Sequence, residues 1–158
     1  MKILMVCLGN ICRSPLAHGL LREKTKDIPN VKVESAGTAG YHIGEAPDVR
    51  MIKTARAKGI NISDLRGAQF SVNDFDAFDL IYAMDQSNYN NILSLARNTE
   101  DEAKVKLILN EINPGKNQSV PDPYYGGDAG FELVYNLLNE ATELITKKIK
   151  NGELWRIW

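Results

Sequence analysis

Short apolar runs rich in β-branched residues alternate with longer stretches of helical periodicity, and this alternation is the strongest constraint on what the chain can fold into. Ile3-Leu4-Met5-Val6 reads as a continuous buried strand. After Ser14-Pro15, the residues Leu16, Ala17, Leu20 and Leu21 follow helical spacing, with Pro15 suited to a first helical position. Val31 and Val33 predict a second strand ending in Ser35-Ala36-Gly37. Pro47 opens a helix with Met51, Ile52 and Ala55 on one side and Gly59 as its stop. Leu80 to Met84 reads as a third strand, 86 to 97 as a helix, and Val105 to Leu109 as a fourth strand. A loop rich in Asn, Pro and Gly runs from Asn110 to Gly130. Beyond it, Phe131, Val134, Leu137, Leu138, Ala141, Leu144, Ile145 and Ile149 mark a long amphipathic helix.

Strands separated by helices imply βαβ units. The expected fold is an α/β domain with a doubly wound, four-stranded parallel sheet and helices on both faces. With no internal repeat, linker or low-complexity tract, the 158 residues are read as a single domain, 1–158. In such sheets ligands bind beyond the carboxyl ends of the strands. That points to the loops after Val6, Met84 and Leu109.

Composition narrows the partners. Apolar residues make up 44% and charged residues 25%, which excludes a disordered tail, a fibre or a membrane channel. Lys plus Arg is 19 against 20 for Asp plus Glu, a net charge of −1, so no global attraction to nucleic acid or anionic lipid is expected. Any bound anion must be held by a local arrangement. The two cysteines, Cys7 and Cys12, make no disulfide framework. The four-residue apolar run at Ile3–Val6 is too short for a signal peptide, and no stretch approaches the roughly 18 apolar residues of a membrane span. A cytoplasmic protein with free thiols and no membrane partner is the expectation. Two Cys and two distant His (His18 and His42) lack ligand spacing, so neither metal nor other cofactor is expected.

The segment Cys7-Leu8-Gly9-Asn10-Ile11-Cys12-Arg13-Ser14 joins the first strand to the first helix. A loop here aims backbone N–H groups inward, and the helix N-terminus adds partial positive charge. Gly9 allows positive φ and Asn10 tolerates it. Arg13 closes the nest with a fork that fits two phosphate oxygens. The segment Leu8–Ser14 is therefore read as a site for a tetrahedral dianion, with the Cys7 thiol at its floor in surroundings that favour the thiolate.

Val6-Cys7-Leu8-Gly9-Asn10-Ile11-Cys12-Arg13-Ser14-Pro15 resembles the signature of the low-molecular-weight protein tyrosine phosphatases. The resemblance covers nearly the whole chain, through Glu34-Ser35-Ala36-Gly37-Thr38, Gly40-Tyr41-His42-Ile43-Gly44, Ala83-Met84-Asp85 and Asp122-Pro123-Tyr124-Tyr125-Gly126-Gly127. It implies a hydrolase that removes phosphate from protein phosphotyrosine and small aryl phosphates through a cysteinyl-phosphate intermediate. Cys7 is the implied nucleophile, Arg13 the clamp on the phosphoryl oxygens, and Asp122 the general acid and then general base. Asp122 lies in the loop after the fourth strand between Pro121 and Pro123, a setting equally suited to a turn aspartate. Tyr41, Tyr124 and Tyr125 are expected to wall an aryl pocket deep enough to exclude short Ser and Thr esters, with Leu8 and Ile11 beside the ring.

Ser14 is open between helix N-cap and hydrogen-bond donor to the Cys7 sulfur. The resemblance favours the latter, with Asn10 and Ser35 bracing the loop and Asp85 behind it. Asp64 and His18 depart from the family pattern, in which a His and an acid are commoner at these places. Cys12 either packs beneath the loop or captures oxidised Cys7 as a reversible disulfide. Three rivals stand beside the phosphotyrosine phosphatase. A phosphoarginine phosphatase of the family carries Thr at the position of Ile11, an arsenate reductase needs thiols beyond Cys12, and a silent phosphate-binding module lacks the nucleophile, Arg or acid present here. The chain is expected to be a monomer or weak homo-oligomer, with Trp155 and Trp158 of the tail packing on the domain or on a partner.

Overall fold

The computed structural model describes residues 1–123 and 127–154. In chain order these form β1 (Lys2–Cys7), α1 (Arg13–Lys24), β2 (Lys32–Gly37), α2 (Val49–Ala57), α3 (Asp74–Ala77), β3 (Leu80–Ala83), α4 (Gln86–Leu93), α5 (Thr99–Lys104), β4 (Val105–Leu107), a 3₁₀ turn (Ile108–Glu111) and α6 (Asp128–Lys150). Among the described residues the strands make one parallel sheet in the order β2-β1-β3-β4.

Strand β1 is apolar from Ile3 to Cys7 because both of its faces are covered there. Ile3, Met5 and Cys7 join the cluster formed with Leu16 and Leu20 of α1, Met51 and Ala55 of α2 and the buried stripe of α6. Leu4 and Val6 point the other way, toward Phe70, Phe75 of α3 and Ile92 of α4, with Phe70 and Phe75 edge to face at 5.3 Å. The doubly wound sheet expected from the alternation is thus present. Helix α6 buries Phe131, Val134, Leu138, Ala141, Ile145 and Ile149, the 3–4 spacing of a helix with one apolar face. Helix α1 instead buries all of Arg13–Leu21. Gly19 permits that depth, since a Cβ there would lie 2.4 Å from Ile62 Cγ2.

Several boundaries differ from the sequence reading. Helix α1 begins at Arg13 with Cys12 at its N-cap, so neither Ser14 nor Pro15 starts it. Pro15 is tolerated within the first turn because N–H groups there have no intrahelical partner. The helix expected over 86–97 ends at Leu93, and Asn98 starts the short helix α5 by accepting from Asp101 N. The strand expected to reach Leu109 stops at Leu107, where the chain tightens into the 3₁₀ turn. Trp155 and Trp158 lie outside the described residues.

In this strand order, β1 and β3 are neighbours whose onward connections lead to opposite edges of the sheet. That creates a crevice at their carboxyl ends.

Candidate active site

At that crevice β1 ends at Cys7 and the chain loops to Arg13. Outside N–H groups hold the loop carbonyls: Thr38 N donates to Cys7 O (2.9 Å), Ala39 N to Leu8 O (2.9 Å) and Asp48 N to Ile11 O (2.8 Å). All described peptides are trans, so each N–H opposes its carbonyl. The N–H groups of Leu8, Gly9 and Cys12 therefore turn into the loop. Asn10 sits at φ +59°, the left-handed region that Asn enters more readily than most residues. Gly37 allows the end of β2 to come this close, since a Cβ there would lie 2.7 Å from Leu8 O.

The sulfur of Cys7 accepts from Asn10 N at 3.3 Å and lies 3.0 Å from Ser14 Oγ. The direction of the second bond follows from the network. Ala68 N donates to Asn10 Oδ1 (3.0 Å), which fixes the amide so that Nδ2 donates to Ser14 Oγ (2.8 Å). The hydroxyl proton of Ser14 is then left for the sulfur, with Ala36 O a longer alternative at 3.4 Å. The Cys7 sulfur is thus the acceptor of two hydrogen bonds, one from a backbone N–H and one from a hydroxyl.

Arg13 is 3% exposed. Its Nη1 donates to Asp85 Oδ2 at 2.7 Å and to Val120 O at 3.0 Å, which uses both hydrogens of that nitrogen. On the other edge of the fork, Nε and Nη2 make no hydrogen bond among the described residues, and Nη2 faces the Asp122 carboxylate. Asp85 follows β3 and also caps α4 through Asn88 N at 2.7 Å, so one carboxylate orients both the guanidinium and a helix. Val120 is held a second time, by its N–H to Met84 O at 2.8 Å. This pins the segment leading to Asp122, whose Oδ2 lies 3.9 Å from Arg13 Nη2.

Cys7, Leu8, Gly9, Ile11, Cys12, Arg13, Tyr41, His42 and Asp122 line one cavity of about 220 Å³. The sequence-expected nucleophile, clamp and acid thus meet, with Tyr41 at the rim. Tyr124 and Tyr125 lie outside the described residues. Ser35 is placed differently from expectation: its hydroxyl meets His18 Nδ1 on α1 at 3.0 Å, and Ala68 takes the bracing place on Asn10. Sequence reading missed the lining role of His42, whose Nδ1 pairs with Glu45. Its signal was its place beside Tyr41 in a loop at the same sheet edge. Asp64 pairs with Arg22 on the surface at 2.9 Å. Cys12 is buried, and burial, then Asp48 and Cys7, push its thiol well above the ordinary range. Among the described residues no cluster of three His, Cys, Asp or Glu side chains is placed to hold a metal ion, and no helix is long and apolar enough to cross a membrane.

The family profile described as low molecular weight phosphotyrosine protein phosphatase matches residues 2–153. The human low molecular weight phosphotyrosine protein phosphatase is 41% identical over 138 residues, 85% of this chain and 86% of that protein. The crystal structure of a protein tyrosine phosphatase from Entamoeba histolytica with Hepes in its active site superposes with a TM-score of 0.89 at 35% identity, covering 97% of this chain and 99% of that one. An arginine phosphatase of Drosophila superposes at 0.87 with 30% identity, over 95% and 98% of the two chains. With its loop geometry, its sheet order and these likenesses in agreement, the chain belongs to the low molecular weight phosphotyrosine protein phosphatase family, a family of hydrolases.

Proposed function

We propose that the protein hydrolyses phosphotyrosine in proteins, and small aryl phosphates, in two steps at Cys7. The observation that carries this reading is the single cavity shared by the Cys7 sulfur, the Arg13 fork and the Asp122 carboxyl. The ester dianion lies in the loop, its equatorial oxygens held by inward N–H groups and by Arg13. Cys7 attacks phosphorus in line with the phenolic oxygen. A phenolate is a poor leaving group (pKa ~10), so Asp122 donates a proton to it, a contribution typically of ~10²–10⁴ in rate. The same carboxylate then deprotonates the water that attacks the cysteinyl phosphate, and the two hydrogen bonds to sulfur stabilise it as it leaves. Loop, clamp and acid are all side chains or backbone of this chain, and the mechanism uses no cofactor.

A phosphoarginine phosphatase is the second reading, favoured by the likeness to the Drosophila enzyme. Ile11 lines the cavity and offers apolar contact to an aryl ring, which supports the aryl ester instead. Turnover of a phosphotyrosine peptide, a phosphoarginine peptide and arsenate with a dithiol separates the readings. The expected result is fast release of phosphate from the phosphotyrosine peptide alone, and none from Cys7→Ser, which has no base to activate its hydroxyl. Faster turnover of phosphoarginine, or appreciable activity in Cys7→Ser, overturns the proposal.

A further inference from the structure

Leu8 borders a second hollow besides the catalytic cavity, of about 300 Å³, whose other walls are Thr38, Ala39, Phe70, Asn91 and Leu95. Phe70 is buried in its floor, while Leu8 and Leu95 are large apolar side chains left 44% and 42% exposed. None of the lining residues carries a charge. Leu8 has a place in the phosphate loop that explains its position, but Leu95 has no catalytic task and faces water beside α4.

A phosphotyrosine seated on Cys7 brings its own peptide chain out at the mouth of the cavity, which Leu8 borders. An extended chain advances about 3.3–3.6 Å per residue and turns alternate side chains to opposite faces. Because Leu8 lines both hollows, a residue within three positions of the phosphotyrosine, roughly 10 Å of extended chain, is within reach of the second one. We propose that this hollow is a substrate subsite that takes an apolar side chain, such as Leu, Ile or Met, flanking the phosphotyrosine. The proposal rests on the phosphotyrosine reading above. An apolar side chain there leaves water for contact with Leu8, Phe70 and Leu95, whereas a charged one loses hydration and meets no partner. Methylene-scale differences in an apolar pocket discriminate by roughly 10–200-fold, and the partial exposure of Leu8 and Leu95 puts the effect at the low end.

The test is kcat/KM for phosphotyrosine peptides that carry Leu, Ala or Asp at each of the three positions on either side, beside p-nitrophenyl phosphate, which has no flanks. Wild type is expected to prefer Leu over Ala by about 10-fold at one position, with Asp lower still. Leu95→Ser should remove most of that preference, and Leu95→Lys should reverse it in favour of Asp. Both variants should turn over p-nitrophenyl phosphate as wild type does. A flat profile in wild type with normal p-nitrophenyl phosphate turnover overturns the subsite alone, as does a Leu preference that survives in both variants. Failure to turn over either p-nitrophenyl phosphate or any phosphotyrosine peptide overturns the phosphotyrosine reading and the subsite with it.

Discussion

Ser14 has one proton to give, and the orientation of the Asn10 amide decides where it goes. Because a backbone N–H of Ala68 settles that orientation, the bond to the Cys7 sulfur is set by a segment far away in sequence. Asp122 has a different status, since its side chain is 43% exposed and close to Arg13. Asp122→Asn is expected to slow phosphotyrosine hydrolysis by ~10²–10⁴, and that of an aryl phosphate with an acidic phenol far less, because that phenol leaves unaided. Equal losses on both substrates would assign the acid to another residue. Cys12 is proposed to capture oxidised Cys7 as a disulfide. Burial, with the Asp48 charge beside it, holds Cys12 as a thiol, which slows capture without preventing it. After a peroxide pulse, wild type should regain activity with dithiothreitol and Cys12→Ser should not. Equal recovery would leave Cys12 as packing.

At the scale of elements, the site is made where helix starts meet strand ends. Helix α1 has no side chain capping its N-terminus and no acidic residue in its first turn, so its free N–H groups remain for a bound anion. Helix α4 is capped by the same Asp85 that holds Arg13. Helix α2, capped by Asp48 through Arg50 N, lends the Asp48 N–H to Ile11 O and stacks Arg50 over Phe131 at the start of α6. The depth of α1 depends on Gly19, and Ile62 against it is fully buried with little room to move. Gly19→Ala should therefore destabilise the protein by about 1–3 kcal/mol, despite the better helix propensity of Ala. Urea unfolding of the two proteins checks this, and an unchanged or raised midpoint would show that Ile62 yields freely.

For the molecule as a whole, His18 links stability to pH. Burial, with Arg22 beside it, lowers its pKa from 6.5 to about 4, so the folded protein keeps it neutral where the unfolded chain takes up a proton. The resulting stability is complete above pH 6.5 and drains away as pH falls toward 4, by on the order of 3 kcal/mol. Asp48 and Asp64 are held below the usual carboxylate range by their Arg partners, so their losses begin at lower pH. His18→Gln should flatten the stability profile between pH 6.5 and 4 in denaturant titrations, and a slope equal to that of wild type would exclude His18 as its source. His18 also shows where reading the chain in order stops. Asp122 is singled out from a turn aspartate only by the family resemblance, whereas the alternation of buried strands and helices and the reading of Cys7–Ser14 as an anion-binding loop follow from local pattern, because periodicity and loop chemistry are properties of adjacent residues. The short helices α3 and α5 escaped it, being polar and barely a turn long. Which groups touch was settled by packing alone: Ala68 on Asn10, Val120 on Arg13, Ser35 on His18 and His42 in the cavity wall. Those partners lie on separate segments, and a contact between them exists only once the sheet order has brought their elements together.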